Sequence, residues 1–216
     1  MEDKEKIELL KKGALELGLA LDDGQAAAFL IYLRELKAWN KKINLTAIED
    51  EKDIIIKHFL DSLTPLRFLS GVKSMLDMGA GGGFPGLPLK IVKPELELTL
   101  LDSVEKKVNF MKHIARTVGL SGVEAIAGRA EAPELVYRLS NSFDCVISRA
   151  FAEMEAFAAL AFPYIRPGGM LLAMKGPSVA EELKGLEIKG LSQPEIIEVR
   201  VPFSDRITSL VTMKKL

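Results

Sequence analysis

Twelve consecutive residues carry the densest chemical signal in the chain: Met75-Leu76-Asp77-Met78-Gly79-Ala80-Gly81-Gly82-Gly83-Phe84-Pro85-Gly86. An apolar run leads into a glycine loop and then into a helix start. Glycine admits positive φ and lets a ligand approach the backbone closely. The helix beyond offers unpaired N–H groups, and Pro85 stands where a first turn tolerates proline. Such a loop suits a nucleotide or nucleoside but does not by itself say which. The bland alternative is a plain tight turn, which so many glycines after a strand disfavour.

Two details choose among ligands. Asp77 lies two residues before Gly79. A dinucleotide site, which must hold an anionic pyrophosphate against the loop, has no use for a carboxylate there. S-adenosylmethionine carries an ammonium and a sulfonium and no phosphate, so an acidic group near the loop is favourable. The spacing Gly79-Ala80-Gly81-Gly82-Gly83 also departs from Gly-x-Gly-x-x-Gly. Asp102 ends the next apolar run, 23 residues after Gly79. It can accept both ribose hydroxyls of an adenosine, or cap a helix before Val104. Gly128-Arg129-Ala130-Glu131 suits an adenine slotted edge-on against backbone. Glu131 there starts a helix, where its charge is favourable, and capping is its plainer role. Arg149 closes the run Phe143-Asp144-Cys145-Val146-Ile147-Ser148, at the strand end where ligands gather. It could hold the donor's carboxylate or a substrate group, or be an ordinary surface arginine.

The acceptor chemistry is narrowed by what is missing. Enzymes that methylate exocyclic amines carry Asn/Asp-Pro-Pro-aromatic where this chain has Ser148-Arg149-Ala150-Phe151. Cytosine C5 methylation needs a thiol nucleophile, and Cys145 lies inside an apolar strand, where a buried structural thiol is the default. A ring nitrogen such as guanine N7 attacks a sulfonium carbon in line with no proton to remove first. The enzyme then supplies proximity, orientation and a suitable field. No metal-ligand pattern is visible.

These residues need a scaffold. The first 70 residues read as three helices. One has Ile7, Leu9, Leu10, Ala14 and Leu17 as its stripe and ends near Gly18. A second is capped by Asp22 or Asp23 and runs to about Trp39. A third starts at Asp50 or Asp53 and carries Ile54, Ile55, Phe59, Leu63 and Leu66, with Pro65 kinking or ending it. From residue 71, short apolar runs alternate with amphipathic stretches. Expected strands are Ser74–Met78, Glu97–Leu101, Val123–Ala127, Cys145–Ser148, Met170–Lys175, Ile196–Val201 and Ser209–Met213. Expected helices are Gly86–Val92, Val104–Val118, Glu131–Leu139, Glu153–Ile165 and Val179–Leu186. Alternation predicts an α/β domain over 71–216, with a doubly wound, mostly parallel seven-stranded sheet. Residues 1–70 form an N-terminal helical extension to it. Only a turn near Ser204-Asp205 separates the last two strands, so they should pair antiparallel. Tyr164-Ile165-Arg166-Pro167-Gly168-Gly169 reads as a helix end and a turn, resembling the approach to the fifth strand in class I S-adenosylmethionine-dependent methyltransferases.

The resemblance sharpens over the whole chain. It is carried by Trp39-Asn40-Lys41-Lys42-Ile43-Asn44-Leu45-Thr46, by His58-Phe59-Leu60-Asp61-Ser62-Leu63, by Gly81 to Pro88, by Lys106-Lys107 before Phe110, by Gly128-Arg129-Ala130-Glu131 and by Ser148-Arg149-Ala150. Together these resemble the ribosomal RNA small subunit methyltransferase G family, also called glucose-inhibited division protein B. The resemblance implies N7 methylation of one guanine in bacterial 16S ribosomal RNA, in a Rossmann-like fold with S-adenosylmethionine as donor. It implies donor contacts at Gly79, Gly81, Phe84, Ala130, Glu131 and Arg149, helped by Asp77 and Asp102. It places Arg129, Arg149 and Arg206 on the reacting face. Trp39, Leu45 and Leu63 read more simply as core. Asn40 and Asn44 either fix the helix end and its turn or touch RNA. His58 and Asp61, three apart on a helix, either pair with each other or cap a neighbour.

Bulk properties set limits. Among 216 residues the formal charge is −1. Lys+Arg against Asp+Glu is 11 to 13 over residues 1–70, 10 to 9 over 71–150 and 8 to 8 over 151–216. No segment is basic, so a 16S RNA or small-subunit partner would have to be met by groups that the fold gathers. One cysteine excludes an intramolecular disulfide and fits a reducing cytoplasm. The charged Met1-to-Lys6 start lacks a signal peptide's apolar region, and no run approaches a membrane span. A cytoplasmic monomer is the default expectation. The competing readings are a small-molecule methyltransferase of the same fold, a nicotinamide dehydrogenase, and an RNA-binding module without activity.

Overall fold

The computed structural model describes all 216 residues. Its strands are β1 (Ser74–Met78), β2 (Glu97–Asp102), β3 (Val123–Ala127), β4 (Phe143–Arg149), β5 (Ile165–Lys175), β6 (Glu195–Arg200) and β7 (Ile207–Lys214). They form one sheet in the order β3-β2-β1-β4-β5-β7-β6. The first five are parallel, and β7 runs antiparallel between β5 and β6. The strand order reverses direction between β1 and β4, so a crevice opens beyond their carboxyl ends. Met75, Leu76, Met78, Cys145, Val146 and Ile147 are all buried, as expected of central strands covered on both faces.

Each face has its own core. Phe157, Ala161 and Tyr164 pack over one face with Leu76 and Val146. The N-terminal helices cover the other, where Phe29, Leu33, Leu36, Phe59 and Leu60 join Leu87, Leu98, Leu100 and Phe110 in one continuous cluster. Helix α1 is Asp3–Glu16 and α2 is Asp23–Asn40. Asp22 caps α2 by accepting from Gln25 N at 2.7 Å, an interaction worth about 1 kcal/mol. Asp50 caps the next helical run by accepting from Asp53 N at 3.0 Å. That run, 51–68, changes width. It is α-helical over Glu51–Ile54, widens to a π-type turn over Ile55–Leu60, and ends in a 3₁₀ turn over Thr64–Phe68. Pro65 takes an early place in the last turn, where its missing N–H is not needed. Wide turns of this kind are rare and cluster at functional sites.

Some expected elements shift. β5 begins at Ile165, because Phe143 pairs with Ile165 before a register shift in β4. The Pro167-Gly168-Gly169 stretch is therefore an irregular strand start and not a turn. The preceding helix is only Met154–Ala161. The helix expected from Glu131 starts at Pro133 with Ala132 as its N-cap, so Glu131 precedes the cap and does not serve it. No helix is long and apolar enough to cross a membrane.

Candidate active site

The glycine loop wraps the end of β1 against β2. Gly79 N and Ala80 N both donate to Leu101 O, at 2.8 and 3.0 Å. Gly79 has φ +74, and a Cβ there would meet Phe151 Cδ2 at 2.3 Å. Gly83 has φ +92, and a Cβ there would meet Leu87 Cδ1 at 2.4 Å. Both positions therefore require glycine, for conformation and for space. Asp102 fixes the loop from β2: Oδ2 accepts from Gly81 N and Oδ1 from Val104 N, each at 2.9 Å. The helix N-cap is Val104 itself, so Asp102 is not that cap.

Beyond the strand ends lies a cavity of about 450 Å³. Met78 at the end of β1, Gly79 just after it, and Leu101 and Asp102 of β2 line it. The segment after β3 contributes Gly128 to Glu131, that after β4 contributes Ala150 and Phe151, and Lys107 closes one side. Five residues singled out by the sequence thus meet on one cavity: Gly79, Asp102, Arg129, Ala130 and Glu131. Ala130 is buried, and its carbonyl accepts from the Tyr164 hydroxyl at 2.6 Å. Arg129 is largely exposed and lies 3.6 Å from Glu131.

Five others do not line it. Gly81 donates its N–H to Asp102 Oδ2. Asp77 is fully buried beneath the loop. Its Oδ2 accepts from Gly86 N at 2.7 Å, and its Oδ1 has no partner. Burial pushes its carboxyl up to about 7, against the opposing pull of the Gly86 N–H and Arg149. The acidic group expected near the loop thus lies beneath it, out of contact with the cavity. Phe84 is 4% exposed. Its ring lies parallel to Tyr32 and His58, with centroids at 5.4 and 4.6 Å.

Arg149 points away from the cavity, into the helical run 51–68. Nη1 donates to Lys57 O at 3.2 Å and to Asp61 Oδ2 at 3.3 Å, and Nη2 donates to His58 Nδ1 at 3.1 Å. The guanidinium also lies 5.0 Å from the Phe84 ring centre, within cation–π reach. Arg206 approaches the same Asp61 oxygen at 3.8 Å, and the Thr208 hydroxyl donates to Oδ1. Asp61, fully buried, therefore joins the helical run to β4 and β7. His58 and Asp61 both hold Arg149 and do not pair with each other. Burial first, then Arg149 and Arg206, push the His58 imidazole down to about 3. It is neutral, and because Nδ1 accepts from Arg149 its proton sits on Nε2. That nitrogen donates to Thr46 Oγ1 at 2.6 Å.

Asn40 and Trp39 each have a partner within the N-terminal region or against it. Asn40 Oδ1 accepts from Leu45 N and Thr46 N, and its Nδ2 donates to Thr46 O, all at 2.8–2.9 Å. This clasp sets the turn that carries Thr46 to His58. Trp39 lies between Phe110 and His113. Cys145 is buried, and burial pushes its thiol well up, so no thiolate is available. Sequence reasoning missed Phe151 at the cavity and Tyr32 beneath Phe84, since neither has a local signature.

A family model described as rRNA small subunit methyltransferase G matches residues 25–209. The chain belongs to this family. Among its relatives, ribosomal RNA small subunit methyltransferase G of Geobacter sp. strain M21 is 44% identical over 210 residues, covering 95% of this chain and 96% of that one. The protein of the same name from Caldanaerobacter subterraneus subsp. tengcongensis is 41% identical, covering 98% and 91%. Among solved structures, cofactor-bound Rv0187 from MTB superposes with TM-score 0.61 at 18% identity, covering 90% of each chain. Precorrin-6y C5,15-methyltransferase from Geobacter metallireducens GS-15 does so with TM-score 0.53 at 16% identity, covering 71% of this chain and 88% of that one. What these structures share with the chain is the fold, that of class I methyltransferases. As a member of the rRNA small subunit methyltransferase G family the protein is a methyltransferase, and the dehydrogenase reading is set aside.

Proposed function

We propose that the protein transfers a methyl group from S-adenosylmethionine to N7 of one guanine in 16S ribosomal RNA. The observation that carries the donor is the 450 Å³ cavity with Asp102 on its wall. That volume lies in the range of roughly 300–1,000 Å³ common to small-molecule sites. Each Asp102 oxygen spends one lone pair on a backbone N–H and keeps another for a ribose hydroxyl. Gly128 and Ala130 present backbone where an adenine edge would lie. Bound there, S-adenosylmethionine supplies an electrophilic methyl, which guanine N7 accepts on a lone pair without losing a proton. The chain therefore needs no general base at this site. Its work is to hold the donor across β1 and β2 and to bring the base to it. Family membership supports ribosomal RNA as the acceptor. Arg129 beside the cavity, and Arg206 at half exposure, supply the cationic groups that a nearly neutral chain needs near phosphate.

The test is incubation with labelled S-adenosylmethionine and small subunits stripped of modification, followed by mass spectrometry of nuclease digests. A single N7-methylguanosine in 16S RNA is the expected product. Absence of any RNA label, with donor binding intact, would move the acceptor to a small molecule. For the donor site, Asp102→Ala should weaken S-adenosylmethionine binding about 10- to 100-fold by calorimetry, since hydrogen bonds to a charged group contribute about 1.5–3 kcal/mol. Unchanged affinity would reduce Asp102 to a brace for Gly81 and Val104.

A further inference from the structure

Phe151 is a large aromatic side chain on the cavity wall, contributed by the segment after β4. It is 39% exposed, although a phenyl ring gains by burial. Its placement is enforced. Ala150, just before it, takes φ 53, a left-handed conformation that non-glycine residues adopt only when their surroundings hold them there. That turn breaks the line of β4 and brings the ring over Gly79. Contact with the glycine loop on one side, and the edge of Phe157 with ring centroids 6.3 Å apart, hold it in place. The rest of the ring borders the cavity and solvent.

We infer that Phe151 is the platform on which the acceptor base stacks. The inference rests on the reading that the acceptor is an RNA guanine. The major groove of an RNA helix is too deep and narrow for side chains to read, so a base offering N7 to this cavity must leave its stack. An exposed aromatic ring replaces the lost stacking. Stacking also fixes the plane of the purine while leaving its edge free, and the N7 lone pair lies in that plane. As the N–C bond forms and the S–C bond breaks, positive charge passes from sulfur to the purine ring. A phenyl face attracts that charge, and it does so more strongly in the transition state than in the ground state.

The test compares Phe151→Leu with Phe151→Tyr and Phe151→Trp, using undermodified small subunits and S-adenosylmethionine. Phe151→Leu should lower kcat/KM for the subunit roughly 10- to 100-fold, with donor affinity by calorimetry within about twofold of wild type. Phe151→Tyr and Phe151→Trp, which keep a π face, should retain most of the activity. The Phe151→Trp fluorescence should quench on adding subunits with S-adenosylhomocysteine, beyond any change that wild type shows from Trp39. Wild-type turnover in Phe151→Leu overturns the platform alone. A loss explained wholly by weaker donor binding also overturns it and makes Phe151 part of the donor wall. If wild type binds donor but labels no RNA, the acceptor reading falls and the platform falls with it.

Discussion

Asp61→Ala lowers stability by about 3–5 kcal/mol, on the order of 10 °C in melting temperature for a chain of this length, and methyl transfer falls with it. The reason is that one buried carboxylate serves three partners: Arg149 at 3.3 Å, Arg206 at 3.8 Å and the Thr208 hydroxyl. Arg149 is only 15% exposed at its side chain. Without Asp61 it keeps Lys57 O and His58 Nδ1, two neutral acceptors, and loses the one carboxylate it touches. Breaking a buried pair is costly for that reason, whereas replacing the pair with apolar groups often is not. The double variant Asp61→Ala/Arg149→Met should therefore recover much of the loss. Activity should not return with it, because the arginines that the fold gathers would be gone or displaced. Urea unfolding of the three proteins measures the first effect, and labelling of small subunits at a temperature where all are folded measures the second. A loss below about 1 kcal/mol for Asp61→Ala would mean that the network does not hold Arg149, and its tie to the N-terminal helices would lose its energetic basis.

The sequence makes local features legible and long-range ones not. β1, β3 and the helix Gly86–Val92 fall where expected, because apolar runs bounded by glycine and proline carry their own boundaries. β5 begins five residues before Met170 because Pro167 and the two glycines, which read as a turn, sit inside an irregular pairing. Gly168 N donates to Lys215 O, and Lys215 N to Gly169 O. Those partners come from the other end of the chain, and no local rule finds them. The site divides in the same way. Gly79, Asp102 and Ala130 stand at strand ends, where alternation of elements already puts ligands. Arg149 stands at a strand end too, but its partners Asp61 and His58 come from the N-terminal helices. Helical spacing offered a mutual pair or a cap on a neighbour, whereas both turn to an arginine 88 and 91 positions away. Phe151 depends on one left-handed alanine, which no periodicity announces.

Asp77→Asn should make the protein gain stability, relative to wild type, by about 3–4 kcal/mol as pH rises from 4 to 8. Burial holds the wild-type carboxyl at about 7, against an ordinary 3.8. The folded protein thus keeps a proton that the unfolded chain releases. That contribution is fully present below about pH 4, declines as pH rises, and is gone above pH 7, where the buried charge costs about 4 kcal/mol. His58 works in the opposite direction, since its depressed value costs stability as pH falls from 6.5 toward 3. It is the same in both proteins, so the difference between their urea midpoints isolates Asp77. At low pH the variant should be slightly the weaker, since the amide places an N–H₂ group where Oδ1 has no partner. A difference that stays flat with pH would show that Asp77 ionises normally. The same carboxyl links stability to the proposed donor. An ammonium and a sulfonium bound above the loop favour the ionised form, so binding near pH 6.5 should release part of a proton. Calorimetry in buffers of different ionisation enthalpy measures that release, and in Asp77→Asn it should vanish. A buried carboxyl poised near neutrality weakens the empty protein at the pH where its charge would favour a cationic ligand, so occupancy of the cavity recovers part of the stability that Asp77 costs.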